Sequence, residues 1–352
     1  MRLDVSMDEE ITGRPNSTGE ADSDGEMSHS TTAPVALFIF NRPELTAQVY
    51  GRIRAARPQR LLVVADGPRP GCPGEGRRCE EAREIVTSPD WPCEVQVNFA
   101  SQNLGCRRRV SSGLDWVFQQ CSEAIILEDD CVPCASFFDF CSAMLRRYRD
   151  DNRIVHISGA NFQDGRRRGS ASYYISRYPY TWGWASWRRA WQTYDVNISA
   201  WPAAYRERWL QSIFDDPQEA QYWEAIFDRL YRGQIDTWDY QWMFACWRQG
   251  GLSIVPNENL VTNVGVGPDA THFQAGHSTI GIATRELDEL EHPAVLAPDR
   301  QADRYTFERH IIGQATVDDG NGFLAMKRRL RLRSRLKQLV PRALRYRWPL
   351  TS

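Results

Sequence analysis

The chain has 352 residues, 42% of them hydrophobic, with a formal net charge of −2. That is enough for one large domain or two fused ones with a sizeable core. The charge is uneven. Residues 327–347 hold ten basic residues and no acid, so the other 33 Lys and Arg face 45 Asp and Glu, a net of −12 on the remainder. An acidic body excludes nucleic acid as its partner, and no apolar run approaches the ~18 residues of a membrane span.

In chain order, residues 1–33 are polar, without apolar periodicity, and are expected to be disordered. Val35–Phe40 reads as a short buried strand. Pro43 suits the first turn of a helix running to about Ala56. Leu61–Ala65 is a second strand, followed by Asp66-Gly67-Pro68. A polar helix is expected over Arg77–Thr87, a strand over Glu94–Phe99 and a helix over Arg107–Gln120. Ala124–Leu127 is a fourth strand, Phe137–Arg149 a helix and Ile154–Ser158 a further strand. Strands alternating with helices predict a parallel α/β sheet, and right-handed crossovers bring the strand tips to one edge.

After residue 160 the character changes. Residues 161–250 are aromatic, rich in Arg and mostly helical in pattern, and residues 252–274 look extended. Ten of the thirteen Trp fall between Trp182 and Trp247. Such a segment suits either a pocket or a core, because the indole supplies apolar area and one N–H donor. The expected organisation is a disordered segment 1–33, an α/β half 34–160, an aromatic lobe 161–285 and an extension 286–352 ending in the basic tail.

The acids carry the chemistry. Ala124–Leu127 ends in Glu128-Asp129-Asp130, and a strand tip has no packing use for three carboxylates. Like charges this close raise the cost of ionising one another. A hard divalent cation is the simplest compensation, Mn²⁺ or Mg²⁺ with oxygen ligands, and ligands of parallel sheets collect outside the carboxyl ends of strands. Nine Cys are scattered without a disulfide framework, and no secretory leader is visible, which favours a reducing, cytoplasmic setting. Cys131 and Cys134 have CxxC spacing but no second pair, and read as plain buried thiols.

Seven motifs then fall in order: Asn41-Arg42-Pro43-Glu44, Asp66-Gly67-Pro68, Asn103-Leu104-Gly105-Cys106, Glu128-Asp129-Asp130, Trp182-Gly183-Trp184-Ala185-Ser186-Trp187, Trp238-Asp239-Tyr240-Gln241-Trp242 and Asp269-Ala270-Thr271-His272. The set resembles bacterial nucleotide-diphospho-sugar glycosyltransferases of the GT-A fold, and is similar in order to eukaryotic N-acetylglucosaminyltransferase I. The resemblance spans about residues 34–275. It implies a Rossmann-like α/β fold, a nucleotide-diphospho-sugar donor, a divalent metal and inversion at the sugar. Where many GT-A enzymes have Asp-x-Asp, this sequence has Glu-Asp-Asp.

By that resemblance Asp130 ligates the metal, with His272 as a second candidate. Glu128 is expected at the ribose or a water, and Asp129 at the site or in a structural role. Asn41, Arg42, Asn103 and Arg107 lie where the nucleotide and its phosphates are expected. Asp66 is expected either at the base or bonded to its own Asp-Gly turn. Transfer to a hydroxyl requires a general base. The resemblance puts it at Asp239, with Asp236 next, and an N-cap role is open to either acid. Trp182, Trp184 and Trp187 are expected to shape the sugar and acceptor pocket or to pack the core. The basic tail, with Leu330, Leu332, Leu336 and Leu339 between its cations, suits contact with anionic lipid at the inner membrane face. A glycosyltransferase acting on a saccharide or lipid-linked acceptor is therefore expected. A nucleotidyltransferase on a similar fold and a non-catalytic nucleotide-sugar binder are the alternatives.

Overall fold

The computed structural model describes residues 31–265 and 281–312. Its first part alternates as the sequence predicts. The elements are β1 (Val35–Ile39), α1 (Pro43–Ala56), β2 (Arg60–Ala65), α2 (Glu75–Thr87), β3 (Glu94–Phe99), α3 (Cys106–Gln120), β4 (Glu123–Glu128), the short β5 (Cys131–Pro133), α4 (Ser136–Arg147) and β6 (Ile154–Ser158). Pro43 sits in the first turn of α1, where its missing N–H has no helical partner to lose. Arg57 closes that helix in the left-handed conformation, with its N–H bonded to the Ile53 and Arg54 carbonyls.

The aromatic half holds two strands where the sequence reads as helical, β7 (Tyr173–Ser176) and β8 (Trp184–Trp187). Helices follow: α5 (Arg188–Trp191), α6 (Trp201–Arg206), α7 (Trp209–Ile213), α8 (Pro217–Tyr231) and α9 (Asp239–Arg248). Then come β9 (Leu252–Pro256), β10 (Val261–Asn263) and α10 (Arg300–Thr306), which runs into a π-helical turn over Phe307–Ile311. No helix of the described residues is long and apolar enough to cross a membrane.

Eight strands form one sheet in the order β3-β2-β1-β4-β8-β6-β9-β7. β1 pairs in parallel with β2 and β4, β2 with β3, and β6 with β9; β8 and β7 run the other way. The fold is thus α/β with a mostly parallel sheet and helices on both faces. Residue 160, expected as a boundary between halves, falls inside this one sheet, because β8 is inserted between β4 and β6. Residues 286–312 are likewise part of the body. Ser172 and Glu291 exchange hydrogen bonds, and Asp303 of α10 accepts from Ser176 Oγ and the Arg177 N–H.

Two apolar layers flank the sheet. Val35, Leu37 and Ile39 face α1, α2 and α4, whereas Ala36 and Phe38 face α3 and the aromatic helices. Strand alternation thus sorts Trp184 and Trp187 to opposite faces. Trp184 stacks on His156, with ring centroids 5.1 Å apart, inside the aromatic layer. Trp187 lies in the other layer and donates Nε1–H to the Leu145 carbonyl of α4.

α3 approaches the sheet closely through Gly113. A Cβ there would stand 2.6 Å from Phe38 Cε1 and 2.6 Å from Val64 Cγ1. Replacing Gly by Ala inside a helix ordinarily stabilises it by about 1 kcal/mol, but here two core side chains would have to move. Gly113→Val is therefore expected to lower unfolding free energy by about 1–3 kcal/mol, the cost of overpacking a filled core. Chemical denaturation of both proteins checks this, and an unchanged midpoint would contradict the close packing of α3.

Candidate functional site

The carboxyl ends of β1, β2, β3, β4, β6 and β9 open on one edge. The residues that follow β1, β2 and β4, with the start of α3, bring most of the candidate side chains together. At the tip of β4 the three acids separate in role. Asp129 is buried, accepts from the Phe40 N–H at 3.2 Å and is paired with Arg42. Arg42 also reaches Asp130, Nη1 to Oδ2, at 3.0 Å. Asp130 Oδ1 accepts from Asn263 Nδ2 at 3.3 Å, and its carbonyl accepts from the Val264 N–H at 2.9 Å. Glu128 and Asp130 are half-buried at the edge.

Arg42 is thus engaged by the β4 acids, and part of the compensation expected of a metal comes from its guanidinium. Burial works against that charge, yet Asp129 and Asp130 together hold the Arg42 pKa well above the usual arginine value. Three carboxylates against one guanidinium leave an excess of negative charge. Glu128 carries the consequence: burial, with Asp130 and Asp129 beside it, pushes its pKa up to about 8, and Asp239 adds to the push.

Asp239 is the first residue of α9; the N-cap position belongs to Trp238. Its Oδ1 accepts from the Tyr240 N–H at 2.9 Å and from the Thr237 hydroxyl. Oδ2 accepts no hydrogen bond among the described residues. The Val196 carbonyl accepts from Arg107 of α3 at 2.7 Å and from buried Gln241 of α9 at 3.5 Å, tying the starts of the two helices together. His156 anchors α9 from below. Its Nδ1 accepts from Trp242 Nε1–H at 3.1 Å, so Nε2 carries the hydrogen donated to the Tyr180 carbonyl at 2.9 Å. Burial pushes the His156 pKa down to about 3, and the ring is neutral.

The charge of the acids reaches Cys106, the first residue of α3. Burial raises its thiol pKa far above normal, and Glu128, Asp239, Asp236 and Asp130 all add to the shift. Sequence reasoning gave Cys106 no role, and it stands at the start of α3 as an uncharged thiol. Asp236 is exposed and makes no hydrogen bond among the described residues.

Other candidates are consumed by the scaffold. Asp66 accepts from the Gly67 N–H (2.8 Å), the Leu104 N–H (2.9 Å), Asn103 Nδ2 (3.1 Å) and the Gly105 N–H (3.1 Å). These four bonds fill a carboxylate's acceptor sites. Asp66 and Asn103 therefore clamp the loop that starts α3, and the turn-bonding reading of Asp66 is the one seen. Asn41 donates to Glu75 Oε1 at 2.8 Å. Of the three successive arginines, Arg109 is buried against the Ala65 and Asn98 carbonyls, Arg108 is exposed and Arg107 is half-buried.

The structure corrects the expected pocket. Trp184 and Trp187 are core residues on opposite faces of the sheet, and only Trp182 is at the edge. β8 begins at Trp184, opposite Ile126, so Trp182 lies just before the strand at the β4 tip, beyond Gly183 (φ 59°). His272 and the basic stretch 327–347 lie outside the described residues. Among the described residues no three His, Cys, Asp or Glu side chains are grouped as a metal cage requires. Glu128 and Asp130 offer hard oxygen donors only. Two such carboxylates suit Mg²⁺ or Mn²⁺, which complete their shells with water and phosphate oxygens. All nine cysteines are free, and Cys131 and Cys134 are buried thiols.

No family model and no curated protein matches the chain. Among solved structures, a UDP-glucose pyrophosphorylase complexed with UDP-glucose is similar over 41% of this chain and 62% of its own, at 9% identity and a TM-score of 0.23.

Removing the cation from the β1–β4 seam leaves Asp129 buried without a partner. Arg42→Gln is expected to cost about 3–5 kcal/mol of stability, the usual penalty for orphaning a buried charge. Adding Asp129→Asn should recover part of the loss, so the two effects will not sum. Urea denaturation of the single and double variants reads this. Additive losses would mean that the pair is not coupled.

Proposed function

We propose that the protein is a glycosyltransferase that moves a sugar from a nucleotide-diphospho-sugar to a hydroxyl of a saccharide or lipid-linked acceptor, with a divalent cation at Glu128 and Asp130. The observation that carries this reading is the set of acids at the carboxyl edge of the sheet: Glu128 and Asp130 at the tip of β4, and Asp239 at the start of α9, which the Val196 carbonyl ties to the start of α3. A donor diphosphate would be repelled by these acids alone. A bound Mn²⁺ or Mg²⁺ would neutralise the diphosphate as it leaves.

The chain's own groups supply the rest. Asp239 Oδ2 accepts the proton of the acceptor hydroxyl while that oxygen forms its bond to the anomeric carbon. The bond from that carbon to the diphosphate oxygen breaks, and its electron pair leaves with the nucleoside diphosphate. Thr237 and the Tyr240 N–H hold Oδ1, which fixes the direction of Oδ2. Nucleotidyl transfer fits less well. It would use a Gly-rich, Lys-bearing loop after β1 to cradle a triphosphate, whereas Phe40-Asn41-Arg42-Pro43 has neither residue and Arg42 is occupied by Asp129 and Asp130.

Two substitutions separate metal from base. Asp130→Ala should abolish the difference in UDP, GDP or CMP-sugar affinity between Mn²⁺ and EDTA; equal affinities already in the unaltered protein would sink the metal role. Asp239→Asn keeps the geometry and removes the base. It should preserve donor binding and lower kcat about 10²–10⁴-fold. Retention of more than about a tenth of kcat, against that expected loss, would exclude Asp239 as the base.

A further inference from the structure

The loop after β6 carries three successive arginines, Arg166, Arg167 and Arg168, none of which has a carboxylate partner among the described residues. Their surroundings are built. Asp164 (φ 51°) and Gly165 (φ 76°) form a tight turn closed by the Arg166 N–H to the Gln163 carbonyl at 3.0 Å. Asp-Gly is the pair such a turn favours, since both central residues need positive φ. The Asp164 carboxylate is spent on this scaffold: Oδ2 accepts from the Tyr305 hydroxyl at 2.6 Å, and Oδ1 lies 3.2 Å from His310 Nε2.

Each guanidinium is positioned by a neutral group. Arg166 lies over the Tyr305 ring at 4.3 Å. Arg167 donates to the Ser170 and Ala171 carbonyls at 2.9 and 3.1 Å, and Arg168 Nε donates to Gln163 Oε1 at 2.8 Å. Their charge is therefore held in place and, among the described residues, meets no carboxylate. Elsewhere on the surface Arg149, Arg153 and Arg300 are matched to Glu123, Asp151 and Asp215.

The position relative to the acid cluster gives this loop its meaning. Trp182, which precedes β8 at the β4 tip, meets the Phe162 ring at 5.2 Å; Phe162 meets the buried His310 at 5.9 Å, and His310 meets Tyr305 at 6.1 Å. This chain of rings packs the arginine loop against the Trp182 end of the edge, on the β6 side, away from the β1–β3 tips where a nucleotide would lie. Planar guanidinium forks recognise carboxylate and phosphate.

Building on the transferase reading, we propose that Arg166, Arg167 and Arg168 bind an oxyanion, carboxylate or phosphate, carried by the acceptor saccharide, so that the acceptor is an anionic oligosaccharide. The acid cluster and the arginine loop then hold the two ends of one substrate.

The test is binding of defined probes to the full chain. These are oligogalacturonate of four to six units, the same length of malto-oligosaccharide with and without a terminal phosphate, and vesicles of phosphatidylglycerol. One variant carries Arg166→Gln, Arg167→Gln and Arg168→Gln. A second carries Arg52→Gln, Arg146→Gln and Arg206→Gln, which removes the same charge from exposed sites elsewhere. Thermal melting confirms that both fold.

A charged saccharide should bind about tenfold tighter than the neutral one, lose that margin in the loop variant alone and weaken with added salt, as exposed charge contacts do. A carboxylate-only or phosphate-only preference identifies which oxyanion is read, and either supports the site. Equal binding of neutral and charged saccharides, equal losses in the two variants, or loop-dependent binding of vesicles without any saccharide would overturn it. Affinity for the nucleotide donor should be the same in the loop variant and the unaltered protein. A failed donor experiment rejects the transferase, and a failed saccharide experiment rejects the arginine site.

Discussion

The guanidinium of Arg42 joins the tips of β1 and β4, and the acidic edge depends on that contact. Parallel pairing sets Phe38 beside Glu128, so the chain leaving β1 passes the acids as the chain leaving β4 presents them. Asp129 could not be buried as an anion without a partner, because an unpaired charge in a dry site costs several kcal/mol. Arg42 meets it, reaches on to Asp130, and leaves Glu128 and Asp130 half-exposed. The pairing ties two of the three crowded acids to one guanidinium and leaves Glu128 outside it.

A second fixed point holds the helix that completes the cluster. Asp66 gathers the Leu104 and Gly105 N–H groups and the Asn103 side chain, and so determines where α3 begins. Cys106 follows directly, as the first residue of the helix. On the far side the neutral His156 ring carries α9 through Trp242, which is one helical turn from Asp239. The position of Asp239 is therefore set from inside the sheet and not by a loop. The base role proposed for Asp239 would need that kind of support, since a reacting group must be held within about 0.5 Å of its productive geometry.

Much of this was legible in the sequence, and the exceptions have physical causes. The alternation from Val35 to Ser158 showed because β1, β2 and β4 have apolar runs, the edge strand β3 alternates apolar with polar residues, and the helices between them have polar faces. β7 and β8 did not show. Tyr173–Ser176 and Trp184–Trp187 are buried on both faces, so polar residues do not alternate along them. Missing β8 also hid the fate of Trp184 and Trp187, since only a strand sends residues three apart to opposite sides. Arg42 was legible as an edge residue but not as the partner of Asp129, because strand order, here β2-β1-β4, is a property of the fold and not of sequence spacing. The roles of Asp66 and Asn103 were ambiguous for a similar reason: the loop at 101–105 contacts Asp66 only after β3 has paired with β2.

Strand direction also explains why the edge divides by charge. β1 to β4 deliver a run of parallel tips whose loops cross one another's ends, and there the acids can share one guanidinium. β8 then interrupts the parallel run and returns the chain antiparallel, placing Trp182 at the boundary. Beyond it, the loop after β6 is met by the chain leaving its parallel neighbour β9: Asn257 accepts from the Arg168 N–H and donates to the Arg168 and Ala171 carbonyls, and Asn259 accepts from the Asn161 N–H. Its own Asp-Gly turn and the Tyr305 hydroxyl on Asp164 hold it further. Arginines in that loop find neutral acceptors and an aromatic face, not carboxylates. Acids thus stand at the β1–β4 tips and arginines at the β6–β9 tips, with Trp182 and the antiparallel β8 between them. On the transferase reading proposed above, a substrate spanning both regions would meet acids at one end and arginines at the other, and so could bind in one orientation only.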